Sequence, residues 1–178
     1  MKKTNSNTEE NICHNVINSI RDVIGNLESP LHEPILDGNE IKYLTNCIES
    51  NFVSSIGEYV NQFENNLADY LDVKHVIATV NGTSALEICI RLAEVLSNDE
   101  VIVPALTFVA TANAVSYVGA YPHFVDIDKN NLGIDPFALK DWLSYITEKS
   151  EGKARNKITG KRISAIIPMH TFGHPSNI

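Results

Sequence analysis

The residues best placed to do chemistry are Asn81-Gly82-Thr83-Ser84, which end a β-branched run over 76–80 and open an apolar helical pattern. Strand, glycine turn and capped helix make a common phosphate cradle. Gly82 lets a backbone come close, and Thr83 and Ser84 offer hydroxyls, either of which can cap the helix. The free N–H groups and the dipole of the first turn favour an anion. The same four residues also describe a well-capped βα turn that holds nothing. They form neither G-x-G-x-x-G nor a P-loop, because the second glycine and the Lys-Ser/Thr pair are absent. His170 and His174 are four apart, as in helical metal pairs, but Gly173 and Pro175 oppose a helix and no third ligand lies near. No metal is therefore expected there. Ser54, Ser55 and Gly57 sit in a small-residue loop over 52–57 that either lines a site or simply joins two helices. By residue type alone, Phe108 reads as core.

Those residues need a scaffold, and the pattern around them supplies one. Three amphipathic helices are expected first: over 12–24, stopped by Gly25-Asn26; from Asp37 or Asn39 onward, with Ile41, Leu44 and Ile48 on one side; and over 59–71. An alternation then begins. Strands are expected over 76–80, 100–103, 121–125 and 163–168, and helices over 84–96, 108–118 and 137–147, the last with Asp135 as N-cap and Pro136 at its first position. The apolar content of 84–96 implies a largely buried helix. The polar stretch 148–161 reads as a surface loop. Strands separated by helices imply a mostly parallel sheet with right-handed crossovers, whose ligands lie at the carboxyl ends of the strands. That edge would collect 81–84, 104–108, 126–128 and 169–174.

With 178 residues, 43% hydrophobic and 20% charged, the chain has the composition of a soluble globular domain. A net charge of −8 with no basic stripe disfavours nucleic acid as a partner. Cys13, Cys47 and Cys89 lie in no metal or redox spacing, which suits reduced thiols in a cytoplasm. No apolar run is long enough to span a bilayer, and the polar start carries no secretory pattern.

Four stretches in this order carry a resemblance: Asn81-Gly82-Thr83-Ser84-Ala85-Leu86, Pro104-Ala105-Leu106-Thr107-Phe108-Val109-Ala110-Thr111-Ala112-Asn113-Ala114, Phe124-Val125-Asp126-Ile127-Asp128, and Pro168-Met169-His170-Thr171-Phe172-Gly173-His174-Pro175. Together the chain resembles the DegT/DnrJ-type sugar-nucleotide aminotransferases, fold type I enzymes that use pyridoxal 5′-phosphate (PLP). Leu31-His32-Glu33-Pro34, the 52–57 loop and the His-Thr-Phe-Gly-His-Pro loop look most like the LegC branch, which aminates a 4-keto nucleotide sugar on the way to nonulosonic acids such as legionaminic acid. The resemblance implies a three-layer α/β/α sandwich, with a tail and helix over 1–30 and the first part of the large domain over 31–178. It puts Gly82, Thr83 and Ser84 at the PLP phosphate and the Phe108 ring on the pyridine face. Ser54, Ser55, Gly57, His170 and His174 would line the sugar side. It also implies glutamate as amino donor, a homodimer, a cytoplasmic location and a cell-surface glycan as destination. The family's pyridine-pairing Asp and its Schiff-base lysine fall beyond residue 178, so no catalytic residue is expected within the chain, which reads as truncated and inactive alone. The rivals are a PLP-type deoxysugar dehydratase on the same scaffold and a non-catalytic remnant.

Overall fold

The computed structural model describes residues 6–25, 33–54 and 57–177. The chain divides into two compact units, residues 1–62 and 63–178. The first unit holds α1 (Ser6–Ile24), α2 (Glu40–Glu49) and the start of α3 (Glu58–Leu71). Gly25, at φ +72°, closes α1, where a left-handed residue lets its N–H reach the Arg21 carbonyl at 2.7 Å. Tyr43 of α2 and Tyr59 of α3 stack with centroids 4.8 Å apart, and Asn46 Nδ2 donates to the Tyr59 hydroxyl at 2.9 Å. Leu31, His32 and Ser55 lie outside the described residues.

The second unit is α/β. After α3 come α4 (Gly82–Leu92), β1 (Glu100–Pro104), α5 (Val109–Tyr117), β2 (Tyr121–Val125), α6 (Pro136–Ile146), β3 (Thr147–Ser150), β4 (Lys153–Asn156) and β5 (Ile163–Ile166), then a 3-10 turn at Thr171–Gly173. The sheet runs β2-β1-β5 and is parallel throughout. Its central strand, Glu-Val-Ile-Val-Pro, is buried at every position. Side chains alternate across a strand, so β1 feeds two cores. Val101 and Val103 pack with Ile90 of α4 and Ala114 and Val115 of α5. Ile102 packs on the opposite face with Val125, Ile134 and the α6 residues Leu139 and Leu143. Helices thus cover both faces, which is the three-layer arrangement. Asp135 caps α6 by accepting from the N–H groups of Phe137 and Ala138 at 2.8 and 3.0 Å, with Pro136 following it.

Six expectations are corrected. The run 76–80 is not a strand: no strand among the described residues pairs with it, Ile77 and Val80 are 81% and 87% exposed, and its tie is the Ala78 N–H on Glu64 Oε1 at 2.7 Å. β-Branched residues favour extended backbone, but a ladder needs a neighbour. Helix α4 is capped by Asn81, whose side chain accepts from the Ser84 N–H at 2.9 Å, rather than by Thr83 or Ser84. It also stops at Leu92, since Glu94 and Asn98 adopt positive φ, and Ile90 is its one buried residue, Leu92 remaining open to solvent. The polar stretch after α6 is an antiparallel hairpin, β3 on β4, turned by Glu151 and Gly152 at φ +54° and +75°. Two consecutive positive φ values are what a two-residue hairpin with the right twist requires. Finally, β5 ends at Ile166, two residues short of Pro168.

Candidate active-site edge

One edge of the sheet is tied by polar contacts among chain segments that enter strands or leave helices. Arg162, just before β5, meets Asp99 Oδ2 at 2.8 Å and the Glu94 carbonyl at 2.6 Å. Asn98 N–H donates to the Gly119 carbonyl at 2.8 Å, joining the ends of α4 and α5 to the start of β1. Because α4 and α5 finish at this edge and pack lengthwise on β1, they begin at the other, where the parallel strands end. Gly82–Ser84, Phe108, 126–128 and 169–174 therefore belong to one edge of the sheet. This is the edge at which open α/β sheets hold ligands.

At α4 the Asn81 side chain takes the Ser84 N–H. Among the described residues, the N–H groups of Gly82 and Thr83 and the Thr83 hydroxyl meet no protein acceptor or donor. A Cβ built on Gly82 would touch nothing within 4 Å, so the space before the turn is open. Phe108 is the N-cap position of α5, extended at φ −68° and ψ 142°, and its ring is 69% exposed rather than in the core. An aromatic ring left this open is available for stacking. Behind it, Thr107 Oγ1 lies 2.9 Å from both Thr111 Oγ1 and Met169 Sδ, linking the β1–α5 turn to the segment after β5.

The last loop is pinned from within. Ser176 Oγ donates to the Met169 carbonyl at 2.6 Å, Ser176 N–H donates to His170 Nδ1 at 3.0 Å, and Thr171 Oγ1 donates to the Leu132 carbonyl at 3.0 Å. Thr171 and Ser176 are buried, whereas His170 and His174 are exposed. Asp128 and Asp126 accept from the N–H groups of Asn130 and Ile127 and so serve their own turn. No three His, Cys, Asp or Glu side chains among the described residues converge as a metal site would need. In the first unit, Ser54 and Gly57 line a cavity of about 630 Å³ with Asn46, Cys47, Phe52 and Tyr59. Sequence reasoning missed Asn81 as the cap, and Thr107 and Ser176 as the pins of the edge. Only Asn81 carried a signal, since Asn ranks with Ser and Asp at N-caps.

Residues 34–178 match the model of the DegT/DnrJ/EryC1/StrS aminotransferase family. A GDP-perosamine synthase of Vibrio cholerae is 37% identical over 149 residues, which cover 84% of this chain and 36% of that protein. Among solved structures, a DegT DnrJ EryC1 StrS aminotransferase from Brucella abortus aligns with a TM-score of 0.59 at 30% identity, over 82% of this chain and 39% of that one. A 3-amino-5-hydroxybenzoic acid synthase aligns with a TM-score of 0.63 at 28% identity, over 84% and 35%. The chain spans about a third of the length of the curated relatives it matches.

Proposed function

Because the chain belongs to the DegT/DnrJ/EryC1/StrS aminotransferase family, we propose that it is the first part of a PLP-dependent enzyme that aminates a 4-keto nucleotide sugar for a cell-surface glycan, with glutamate as donor. The family match over 34–178 carries this reading, and the residues at the strand ends fit the cofactor it calls for. Two N–H groups without a protein acceptor, an unpartnered hydroxyl and open space before Gly82 suit a phosphate. The exposed Phe108 ring suits a flat heteroaromatic face. When bound, PLP would supply the electron sink for amino transfer. This chain's share is to hold and orient. Gly82, Thr83 and Ser84 take the phosphate, Phe108 fixes the ring plane, and His170 and His174 border the sugar. The lysine that carries the cofactor and the carboxylate that pairs with its ring nitrogen belong to sequence beyond residue 178, so residues 1–178 alone do not transaminate. The working enzyme is a cytoplasmic homodimer; no described helix is long and apolar enough to cross a membrane.

For the sugar, relatives named GDP-perosamine synthase support a GDP-linked substrate, while the Leu31–Pro34 and His170–Pro175 motifs support a precursor of nonulosonic acids. The test uses a longer protein that carries this segment and its downstream lysine. It is incubated with PLP, glutamate and either a GDP- or a UDP-linked 4-keto sugar, and the product is weighed by mass spectrometry. An amino sugar from one of them is expected. A deoxygenated keto sugar would mean a dehydratase, and no product from either would remove the reading. In the same protein, Thr83→Val keeps shape and loses one charge-assisted hydrogen bond, so PLP binding weakens by about 1.5–3 kcal/mol. Unchanged affinity would take Thr83 out of the site.

A further inference from the structure

At the opposite edge of the sheet, the first residue of β1 is a buried carboxylate that the proposed function does not use. Glu100 is 3% exposed and, among the described residues, meets no Lys or Arg. Its Oε2 lies 3.1 Å from His123 Nδ1 of β2 and accepts from Asn156 Nδ2 of the hairpin at 2.8 Å, while its Oε1 accepts from the Thr159 hydroxyl at 2.5 Å. On the other side of the imidazole, Trp142 Nε1 of α6 lies 2.8 Å from His123 Nε2.

These contacts fix a tautomer. The indole N–H only donates, so Nε2 must carry the lone pair. The carboxylate only accepts, so Nδ1 must carry the proton. His123 in this arrangement is therefore neutral, and its two bonds join β1, β2 and α6 in one line. The helix also holds the sheet through apolar contacts of Leu139 and Leu143. Beside it, Trp142, Leu139 and Ala138 border a groove of about 230 Å³ against Phe124 and Val125 of β2.

We propose that Glu100, His123 and Trp142 form a proton-operated latch between α6 and the sheet. Neutral His123 closes it. A second proton, taken from solvent at Nε2, makes the imidazolium; Nδ1 keeps its proton and its bond to Glu100, while the new N–H opposes the indole N–H and displaces it. The His123 side chain, 16% exposed, leaves a path for that proton. Three other groups surround the latch. Tyr145 of α6 stacks with Trp142 at 5.8 Å, and Tyr121, two residues along β2, carries Lys161 Nζ 3.8 Å over its ring. None of the three bonds to His123, so the carboxylate and the indole are the partners that sense its charge.

Trp142 is the chain's single tryptophan, so its fluorescence reports the latch directly. In the 178-residue chain, emission should fall in one single-proton step as the solution is acidified from pH 8, because a displaced indole beside an imidazolium is quenched. His123→Gln should lose that step. Amide exchange in α6 should quicken over the same range in the wild type. A step of equal size in His123→Gln, or no step in the wild type, overturns the latch. Should His123→Gln fail to fold, long-range 15N spectra of the wild type at pH 8 still decide: Nδ1–H supports the proposal, and Nε2–H refutes it.

Discussion

Gly133 offers a sharp test of how the strand-end loops are held. A Cβ at Gly133 would lie 2.5 Å from Ser176 Oγ, 2.9 Å from Ser176 Cβ and 3.1 Å from Asn131 Oδ1. Ser176 cannot simply swing away, because its side chain is buried and its hydroxyl is spent on the Met169 carbonyl at 2.6 Å. Gly133→Ala must therefore break that bond or move the 169–176 loop. Giving up a buried hydrogen bond costs about 0.5–1.5 kcal/mol, and overpacking a filled site about 1–3 kcal/mol, so a loss of about 1–4.5 kcal/mol is expected, according to whether one or both are incurred. Urea unfolding followed by Trp142 fluorescence measures it as a lower midpoint at unchanged slope. Ser176→Gly removes the obstructing atoms, so the double variant should recover much of the loss, and the cycle should give a coupling above about 1 kcal/mol. If Gly133→Ala unfolds within about 0.5 kcal/mol of the wild type, or if the two changes simply add, the two loops are not packed as described.

Two further outcomes follow from the same geometry. Gly82→Ala meets no atom within 4 Å, so the melting temperature should hold or rise, by up to about 1 kcal/mol of stability; PLP affinity of the lysine-bearing protein should nonetheless fall because the methyl blocks close approach, and equal affinity in a PLP titration would show the phosphate lies elsewhere. Glu100 resists burial, which would raise its pKa, because the hydrogen bonds from Thr159, Asn156 and His123 outweigh that cost and hold the carboxyl below its ordinary 4.5. A depressed folded pKa stabilises above the unfolded value and is lost as pH falls through the folded one, so Glu100→Gln should be less stable at pH 7 by about 1.5–3 kcal/mol and the gap should close as pH falls through the lowered value of the carboxyl; parallel pH–stability curves would refute the assignment.

The sequence revealed most where one local signal sufficed. Asp135-Pro136 marked the start of α6, and the run at 100–103 marked the strand that proves buried throughout, since parallel strands between helices read as unbroken apolar runs. It misled where a partner decides. The residues 76–80 have the composition of a strand, but composition says nothing of what lies beside them. The hairpin of β3 and β4 was hidden by its charges; its one legible mark was Glu151-Gly152, because a two-residue turn wants positive φ at both positions. At the strand ends, the glycine, the hydroxyls and the exposed ring were visible as residue types. That Ser176 and Thr107 fasten the edge was not, because both act across gaps of sequence that no periodicity measures.

The central strand has a consequence for how the chain is born. Glu100 emerges from a ribosome well before its partners: Asn156 follows 56 residues later and Thr159 59 residues later. At about 5–20 residues per second, the carboxylate waits several seconds for them, and until β5 is made β1 has at most β2 to pair with. Throughout that interval its other flank, later closed by β5, is a bare row of peptide groups on an apolar strand. Translation speed across 126–162 thus sets how long the nascent chain offers itself to a chaperone or to another copy. Slow codons placed there would lengthen the exposure, and fast ones would shorten it.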